Sequence, residues 1–265
     1  MYNIPRIKLG RTEIIATRLG IGGAYCKSPE GYISALDCGV NYIDTARIYN
    51  DGDDERVIGE AIQGRRDNLI LATKTIKRDA GGARKDLETS LNLLKTDYID
   101  IYQLHHLNTQ LEREQALAHN GALGEIQKAR EEGLVRFIGV TGHDWEQIRI
   151  AVATGLFDTV LCWYNCAMKE PENTIFPEAR RHNTGVIIMN ATRNGKLLND
   201  TIPAEQFYRY VLSHNDVHIT IMGLRDLNMF CKVASALSER DKLTDQEKLE
   251  LESYGSQMRT LGKLE

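Results

Sequence analysis

Short apolar runs alternate with amphipathic stretches along most of the chain. Runs such as 69–73 and 185–189 are continuously apolar and rich in β-branched residues, which is typical of parallel strands covered on both faces. Between the runs, apolar residues recur at helical spacing, as at Leu87, Leu91 and Leu94. The predicted strands are 17–20, 41–44, 69–73, 99–104, 136–140, 159–163, 185–189 and 218–222.

Capping residues and glycines mark the boundaries of the predicted helices. Ser28 stands before Pro29 and Glu30, which is an N-terminal helix signal, and Gly39 ends the same stretch. Glycines end several other amphipathic stretches in the same way. The predicted helices are 28–39, 53–63, 83–94, 122–132, 144–154, 173–182, 203–213, 226–237 and 244–258.

Eight strand–helix units within 265 residues predict an α/β fold, a (β/α)8 TIM barrel. Residues 5–16 precede the first barrel strand and predict a β-hairpin that plugs the N-terminal mouth of the barrel. The segment 238–265 predicts an extra C-terminal helix, which we expect to be solvated. No linker rich in Pro, Gly or Ser divides the chain, so residues 1–265 are predicted to form a single domain.

The composition narrows the classes of function. Lys and Arg total 33 and Asp and Glu total 37, so the formal net charge is −4, and no basic stripe suggests a nucleic-acid partner. No apolar run approaches the ~18 residues of a membrane span, and the N-terminus lacks the apolar core of a signal peptide. We therefore expect a cytoplasmic protein with a small-molecule substrate and no membrane partner, either a monomer or a small homo-oligomer.

The cysteines do not suggest a structural framework. Their number is odd, they are scattered, and no CxxC pair occurs among Cys26, Cys38, Cys162, Cys166 and Cys231. We expect free thiols rather than disulfides, and no metal site.

Four titratable residues are predicted to meet at the carboxyl ends of three neighbouring strands, where barrels carry their active sites. Asp44 ends the second strand and Tyr49 follows it, Lys74 ends the third, and His105 ends the fourth. A buried lysine requires a partner such as Asp44, and its charge favours ionisation of a nearby phenol. Tyr49 could then donate a proton at neutral pH, while His105 orients a carbonyl group. This set favours reduction of a carbonyl by hydride transfer.

The motifs around these residues resemble the aldo-keto reductase family. Asn-Tyr-Ile-Asp-Thr-Ala-Arg-Ile-Tyr at 41–49, Ala-Thr-Lys at 72–74 and Thr-Asp-Tyr-Ile-Asp-Ile-Tyr-Gln-Leu-His at 96–105 are similar to its signatures, as is 133–140. The Gly-Val-Thr-Gly-His variant at 139–143 resembles a branch in which some members carry a ferredoxin-like iron–sulfur tail, for which this sequence lacks the cysteines. The resemblance extends from 9–12 to about Gly223.

The resemblance implies an oxidoreductase that uses NADPH, with NADH possible, to reduce an aldehyde or ketone to an alcohol. It implies that Tyr49 is the general acid, that Lys74 lowers its pKa, that Asp44 holds Lys74, and that His105 orients the carbonyl. Candidate substrate-pocket residues in the strand-end loops are Tyr25, His106, His143 and Trp145. Because neighbouring residues on a strand point to opposite sides, His105 and His106 are not expected to form a metal site.

The cofactor positions depart from the family pattern. Thr141 and Gly142 stand where the family has Ser-Asn, and we place Cys162 at the position of its usual glutamine. The cofactor-binding residues that the resemblance implies are Thr141, Asn165, Met189, Asn190, Gly195, Gly223 and Arg225. The altered positions leave two alternatives open: an acid–base enzyme for elimination or epimerisation whose reaction is non-redox or recycles its cofactor, and a nicotinamide-binding sensor protein.

Overall fold

The structure, a computed structural model, describes residues 1–264. Its strands are β1 Arg6–Lys8, β2 Ile15–Thr17, β3 Leu19–Gly22, β4 Tyr42–Asp44, β5 Ile70–Thr75, β6 Ile99–Leu104, β7 Val135–Thr141, β8 Thr159–Trp163, β9 Gly185–Met189 and β10 Ile219–Gly223. Its α-helices are α1 Pro29–Asp37, α2 Asp54–Ala61, α3 Ala80–Leu94, α4 Gln110–Leu117, α5 Ala122–Glu131, α6 Trp145–Ala153, α7 Ile175–His182, α8 Ala204–Leu212, α9 Leu227–Glu239 and α10 Asp245–Thr260. Short 3₁₀ segments cover Tyr49–Gly52, Arg66–Asn68 and Glu170–Glu172.

Strands β3 to β10 form a closed parallel barrel in which each strand pairs with the next and β10 pairs with β3. The predicted TIM barrel is therefore confirmed. The predicted strands 99–104, 159–163 and 185–189 coincide with β6, β8 and β9. The first barrel strand begins later than predicted, because Thr17 belongs to β2 and pairs with Arg6.

The N-terminal hairpin closes the amino end of the barrel. Strands β1 and β2 pair antiparallel, and Leu9, Ile14 and Ala16 pack among apolar side chains of the barrel interior. The backbone N–H of Arg11 donates to the carbonyl of Asn183 at 2.6 Å, which ties the hairpin to the chain just before β9. A second, larger apolar layer fills the space between the barrel and the helices. The plug that the sequence predicts is thus confirmed.

Helix α4 lies between β6 and α5, where the sequence pattern predicts no helix. Thr109 and Glu112 form a reciprocal capping box at its start, with each side chain accepting a bond from the other residue's backbone N–H. Only Ala116 of this helix is buried, so its apolar periodicity is weak. The capping residues, rather than a hydrophobic stripe, were the signal available in the sequence.

Helix α10 packs against the barrel, which corrects the expectation that the C-terminal helix is solvated. Leu251 and Gly255 are buried, and the Tyr254 hydroxyl donates to the carbonyl of Leu197 at 2.9 Å. A Cβ atom on Gly255 would lie 2.3 Å from the carbonyl oxygen of Cys166, so the helix backbone rests directly on the loop after β8. The many charged residues of this helix suggest that it is solvated. Its contact with the rest of the protein is made through Gly255, which adds no apolar side chain to the sequence pattern.

A disulfide joins Cys38, after α1, to Cys231 in α9, with the two Cα atoms 6.0 Å apart. The expectation of five free thiols is therefore wrong for this pair, whose members are brought together only by closure of the barrel. Cys26, Cys162 and Cys166 are free. Among residues 1–264, no helix has both the length and the apolar character that crossing a membrane requires.

Candidate active site

Neighbouring strands bring the four predicted catalytic residues together at the carboxyl end of the barrel. Asp44 ends β4 and Tyr49 follows it, Lys74 lies in β5, and His105 directly follows β6. The Lys74 Nζ donates to Asp44 Oδ1 at 2.5 Å and to the Thr45 carbonyl at 2.6 Å, and lies 3.4 Å from the Tyr49 hydroxyl. A carboxylate, an ammonium group and a phenol thus form a continuous series that ends in the cavity.

The protonation states follow from burial and from these contacts. Burial alone lowers the pKa of Lys74, but Asp44 and Tyr49 outweigh it and hold that pKa above its ordinary value. Burial raises the pKa of Tyr49 by more than the Lys74 charge lowers it. The net direction differs from the lowered pKa that we had predicted, and the phenol keeps its proton at neutral pH. Burial, with the charge of Lys74, pushes the pKa of His105 far below its ordinary range, so its imidazole is neutral.

A second layer of polar residues fixes Asp44 and the loop that carries Tyr49. Gln103 donates its amide N–H to Asp44 Oδ2 at 2.8 Å. The buried carboxylate of Asp54 accepts from the hydroxyls of Tyr32 and Thr45, at 2.8 and 2.6 Å, and from the Asn50 amide at 2.9 Å. These residues hold both ends of the loop between β4 and α2.

Glu55, beside Asp54, is also fully buried and supports the same loop from the other side. It accepts from the Thr73 hydroxyl at 2.6 Å and pairs with Arg47. Neither Asp54 nor Glu55 is among the site residues that the sequence predicts, since their contacts come from three different segments.

His106 points into the same cavity as His105, contrary to the strand alternation that we had expected. Its φ of +57° places it in the left-handed region and turns its ring back, so that the two imidazole centroids lie 3.9 Å apart. Arg78 donates to the His106 carbonyl at 2.8 Å, and Asn108 accepts from the backbone N–H of His143 at 2.6 Å. These bonds hold the turn in place.

The row of rings continues to a residue that sequence reasoning missed. His106 contacts His143 with centroids 4.7 Å apart, and His143 contacts Trp163 at 4.4 Å. Trp163 lines the cavity, whereas Trp145 lies outside it and donates its indole N–H to the Trp163 carbonyl at 3.4 Å. Trp163 is the last residue of β8, and this strand-end position was the signal available.

Of the seven predicted cofactor residues, six line this cavity of about 480 Å³, namely Thr141, Met189, Asn190, Gly195, Gly223 and Arg225. Asn165 lies outside the lining. Its amide oxygen accepts from the backbone N–H groups of Ala167 and Met168, and its amide N–H donates to the Asn190 carbonyl at 3.0 Å. The structure therefore places Asn165 behind the cavity wall, where it connects two loops.

The structure explains two positions that depart from the family pattern, Cys162 and Gly142. Leu161 faces the cavity, while Cys162 packs on the outer side among the helices, so Cys162 does not stand in a pocket position. A Cβ on Gly142 would lie 2.8 Å from the Leu107 carbonyl oxygen and 3.0 Å from Asn108 Oδ1. The approach of the preceding loop thus excludes a side chain at residue 142.

Tyr25 and Arg225 meet across the mouth of the cavity. The Arg225 guanidinium lies 4.1 Å from the centroid of the Tyr25 ring, and this ring covers Gly223, where a Cβ would come within 2.3 Å of it. Ala24 has a φ of +78°, which turns Tyr25 toward the cavity. Of the predicted substrate-pocket residues, Tyr25, His106 and His143 line the cavity.

Residues 1–264 contain no group of three or more His, Cys, Asp or Glu side chains arranged to hold a metal ion.

Comparison with known proteins places the chain in a family. The sequence profile of the Aldo/keto reductase family matches residues 30–207. This chain therefore belongs to the aldo/keto reductase family. It is 34% identical over 205 residues to the aldo-keto reductase YhdN of Bacillus subtilis (strain 168), an alignment that covers 72% of this chain and 60% of that protein.

Solved structures share the fold. The holo form of aldo-keto reductase AKR11C1 from Bacillus halodurans superposes with a TM-score of 0.82 at 22% identity, over 95% of this chain and 96% of that one. An aldo/keto reductase from Klebsiella pneumoniae, in complex with NADP and acetate, gives a TM-score of 0.78 at 22% identity and covers 96% of each chain. At this level of identity the similarity is one of fold.

Proposed function

We propose that this chain is an NADPH-dependent oxidoreductase that reduces an aldehyde or a ketone to an alcohol, acting as a single barrel domain. The observation that carries the proposal is the buried Asp44–Lys74 pair in contact with Tyr49, beside the neutral imidazole of His105. The NADP in the Klebsiella pneumoniae structure supports the choice of cofactor.

The donors around the cavity fit a nucleotide that bears phosphate groups. Arg225 has no carboxylate partner within residues 1–264, and its stacking on Tyr25 leaves the edge of the guanidinium free. In the loop after β9, the backbone N–H groups of Thr192 and Asn194 donate to no acceptor in the described part of the chain. Arg225 and this loop would hold the phosphates, while Thr141 and Met189 would contact the nicotinamide.

The catalytic residues would act on the carbonyl oxygen. When bound, NADPH supplies the hydride that forms the new C–H bond at the carbonyl carbon. Tyr49 donates its hydroxyl proton to the oxygen as the C=O double bond becomes single, and the charge of Lys74 stabilises the phenolate that remains. His105 donates an N–H to the same oxygen and orients it. A proton from solvent restores Tyr49, so one carbonyl compound, one NADPH and one proton would be consumed for each alcohol and NADP⁺ formed.

One observation favours a second candidate, an acid–base enzyme that does not consume its cofactor. Residue 142 is a glycine, and the two cavity-facing residues of β8 are Leu161 and Trp163, so none of these positions offers an amide side chain to hold a nicotinamide carboxamide. Such an enzyme would retain the Tyr49–Lys74 pair for elimination or epimerisation. Net oxidation of NADPH distinguishes the two candidates.

The test is a comparison of Tyr49→Phe with the natural protein. Binding of NADPH and NADH is measured by nicotinamide fluorescence, and turnover of a panel of aldehydes by the loss of nicotinamide absorbance. We expect preferential binding of NADPH, and a kcat that Tyr49→Phe lowers by about 10²- to 10⁴-fold while binding is unchanged.

Tyr2→Phe removes a hydroxyl from an exposed tyrosine outside the cavity and serves as the matched control. Binding of NADPH without its oxidation by any aldehyde, at any carbonyl concentration, would replace the reductase proposal with the cofactor-retaining enzyme or the sensor. A Tyr49→Phe variant with unchanged kcat would remove Tyr49 from the mechanism.

A further inference from the structure

A single buried carboxylate, that of Asp54, contacts the chain on both sides of Tyr49. Asp54 is the first residue of α2, is 0% exposed, and accepts three hydrogen bonds. The Thr45 hydroxyl donates at 2.6 Å from the segment before Tyr49, and the Asn50 amide donates at 2.9 Å from the residue after it. The third donor is the Tyr32 hydroxyl of α1, at 2.8 Å. The carboxylate thus joins the two segments that flank the proposed proton donor.

The bond to Thr45 connects Asp54 with Lys74. The Lys74 Nζ donates to the Thr45 carbonyl at 2.6 Å, so this carbonyl helps to hold the ammonium group beside the Tyr49 hydroxyl. The backbone N–H of Thr45 donates to the Ala72 carbonyl of β5 at 2.8 Å. The backbone of Thr45 is therefore fixed from two sides, by β5 through its N–H and by Asp54 through its side chain.

The bond to Asn50 holds a strained turn directly after Tyr49. Asn50 and Asp51 have φ values of +51° and +56°, a left-handed conformation that glycine adopts at lower cost. The side chain of Asn50 is nevertheless present, and its amide N–H bonds to Asp54 Oδ1. Hydrogen bonds to a charged acceptor are stronger than those between neutral groups, so Asp54 stabilises the backbone conformation that follows Tyr49.

The surroundings of Asp54 leave its carboxylate little freedom to move. A Cβ on Gly23 would lie 2.3 Å from Asp54 Oδ2, so the backbone after β3 packs directly against the carboxylate. The nearby Arg47 pairs with Glu55, the residue next to Asp54. Three neutral donors converge on Asp54 instead, and an ionised carboxylate suits them because it accepts hydrogen bonds and donates none.

We infer that Asp54 is a positioning residue for proton transfer, an inference that rests on the proposed reductase function. By holding Thr45 and Asn50, it sets the separation between the ammonium group of Lys74 and the hydroxyl of Tyr49. These two atoms lie 3.4 Å apart, which is longer than a typical N–H···O bond. The ammonium stabilises the phenolate that forms when the hydroxyl proton passes to the carbonyl oxygen, so this separation affects the chemical step rather than binding. Asp54 itself neither gains nor loses a proton.

The first experiment removes one hydroxyl donor at a time from the same carboxylate. Thr45→Val breaks the bond on the side of Lys74, Tyr32→Phe breaks the bond from α1, and each variant keeps the shape of the side chain. With NADPH and an aldehyde, we expect Thr45→Val to lower kcat by about 10- to 100-fold at an unchanged KM, and Tyr32→Phe to lower kcat by less than about threefold. Both variants should be less stable in urea. Equal kcat values in the two variants would overturn the inference, because Asp54 would then have only a structural role.

The second experiment changes the carboxylate. Asp54→Asn keeps the size of the side chain and should lower kcat at least as much as Thr45→Val. The double variant Thr45→Val/Asp54→Asn should match Asp54→Asn alone, because both changes break the same connection to Lys74. Asp53→Asn removes the exposed carboxylate that pairs with Arg56, and this matched control should leave kcat and KM within about twofold. Independent, multiplicative losses in the double variant would overturn the inference, and Thr45→Val tests it even where Asp54→Asn does not fold.

A spectroscopic measurement tests the positioning without turnover. Tyrosine labelled at Cζ for carbon NMR gives a signal for Tyr49 that is assigned by its loss in Tyr49→Phe. The chemical shift of this carbon responds to the distance of the Lys74 ammonium from the phenol. The signal should move in Thr45→Val and in Asp54→Asn, and it should stay in place in Asp53→Asn.

Turnover and the NMR signal together separate failure of this inference from failure of the proposed function. A signal that moves in Thr45→Val, with no reduction of any aldehyde by the natural protein, would retain Asp54 as a positioning residue and refute the reductase. Reduction of aldehydes by the natural protein, with an unmoved signal and an unchanged kcat in Thr45→Val, would retain the reductase and refute the inference.

Discussion

Replacing Lys74 with methionine should destabilise the protein and abolish its activity for two separable reasons. The side chains of Lys74 and Asp44 are 0% and 2% exposed, and the ammonium donates to both the carboxylate and the Thr45 carbonyl. Loss of the ammonium group leaves a charged carboxylate buried without its partner. Breaking a buried pair in this way costs about 3–5 kcal/mol.

The double variant Asp44→Asn/Lys74→Met removes the unpaired charge together with its partner. The neutral side chains that replace Asp44 and Lys74 should recover most of the lost stability, since a buried ion pair contributes little net free energy to folding. Activity does not recover, because no ammonium remains to stabilise the Tyr49 phenolate. We therefore expect the melting temperature to fall by about 6–20 °C in the single variant and to return most of the way in the double variant.

The assay is thermal and urea unfolding of the natural protein, both single variants and the double variant, with turnover measured on the same samples. The coupling free energy from this cycle should be large and favourable, because the two groups are in direct contact. If Lys74→Met unfolds at the temperature of the natural protein, or if the double variant is less stable than Lys74→Met, the reasoning about the buried charge is refuted. Full activity in the double variant would refute the role of the ammonium.

Three further predictions concern the scaffold. Cys231→Ser opens a disulfide of sequence separation 193 and should lower the free energy of unfolding by roughly 2–5 kcal/mol, and a reductant should bring the natural protein to the same urea midpoint. Gly255→Ala should cost about 1–3 kcal/mol, because its Cβ would meet the Cys166 backbone, whereas the matched helical Gly124→Ala, with its nearest contact at 3.5 Å, should not destabilise. His143 has a pKa lowered to about 4, so between pH 6.5 and 4 the unfolded chain binds a proton that the folded chain does not, and stability falls as pH falls. His143→Gln should reduce this fall in urea unfolding across that window.

The barrel could be predicted because every strand–helix unit carries its own signal in the sequence. Continuous apolar runs identify the strands, and β6, β8 and β9 were predicted at their observed bounds. The rule that active sites lie at the carboxyl ends of barrel strands then selects Asp44, Lys74 and His105. These are local or topological inferences, and they do not depend on the details of packing.

The predictions that failed depended on contacts between distant segments. Cys38 and Cys231 meet only because the barrel closes, which spacing alone does not reveal. A shift of one residue in strand register exchanges the inner and outer faces, which is why Leu161 rather than Cys162 reaches the cavity. The direction of the Tyr49 pKa depends on how deeply the phenol is buried, and only the folded structure defines this.

The distribution of backbone strain explains why the orientation of side chains in the loops around the site could not be predicted. Non-glycine residues with positive φ within residues 1–264 fall into two groups. Lys95 and Asn183 end helices, where this conformation is ordinary. The others lie in loops at the carboxyl ends of barrel strands, namely Ala24, Asn50, Asp51, His106, Asn190, Arg193 and Asn194.

Glycine would adopt the left-handed conformation at lower cost at each of these positions. A side chain is retained there at a cost of order 1–3 kcal/mol, and the surrounding contacts must supply that energy. His106 and Arg193 are two examples: the ring of His106 contacts that of His143, and the guanidinium of Arg193 lies over the ring of Trp163. These backbone conformations are set by tertiary contacts around the cavity rather than by local propensity. Sequence rules of capping and periodicity therefore do not reveal them.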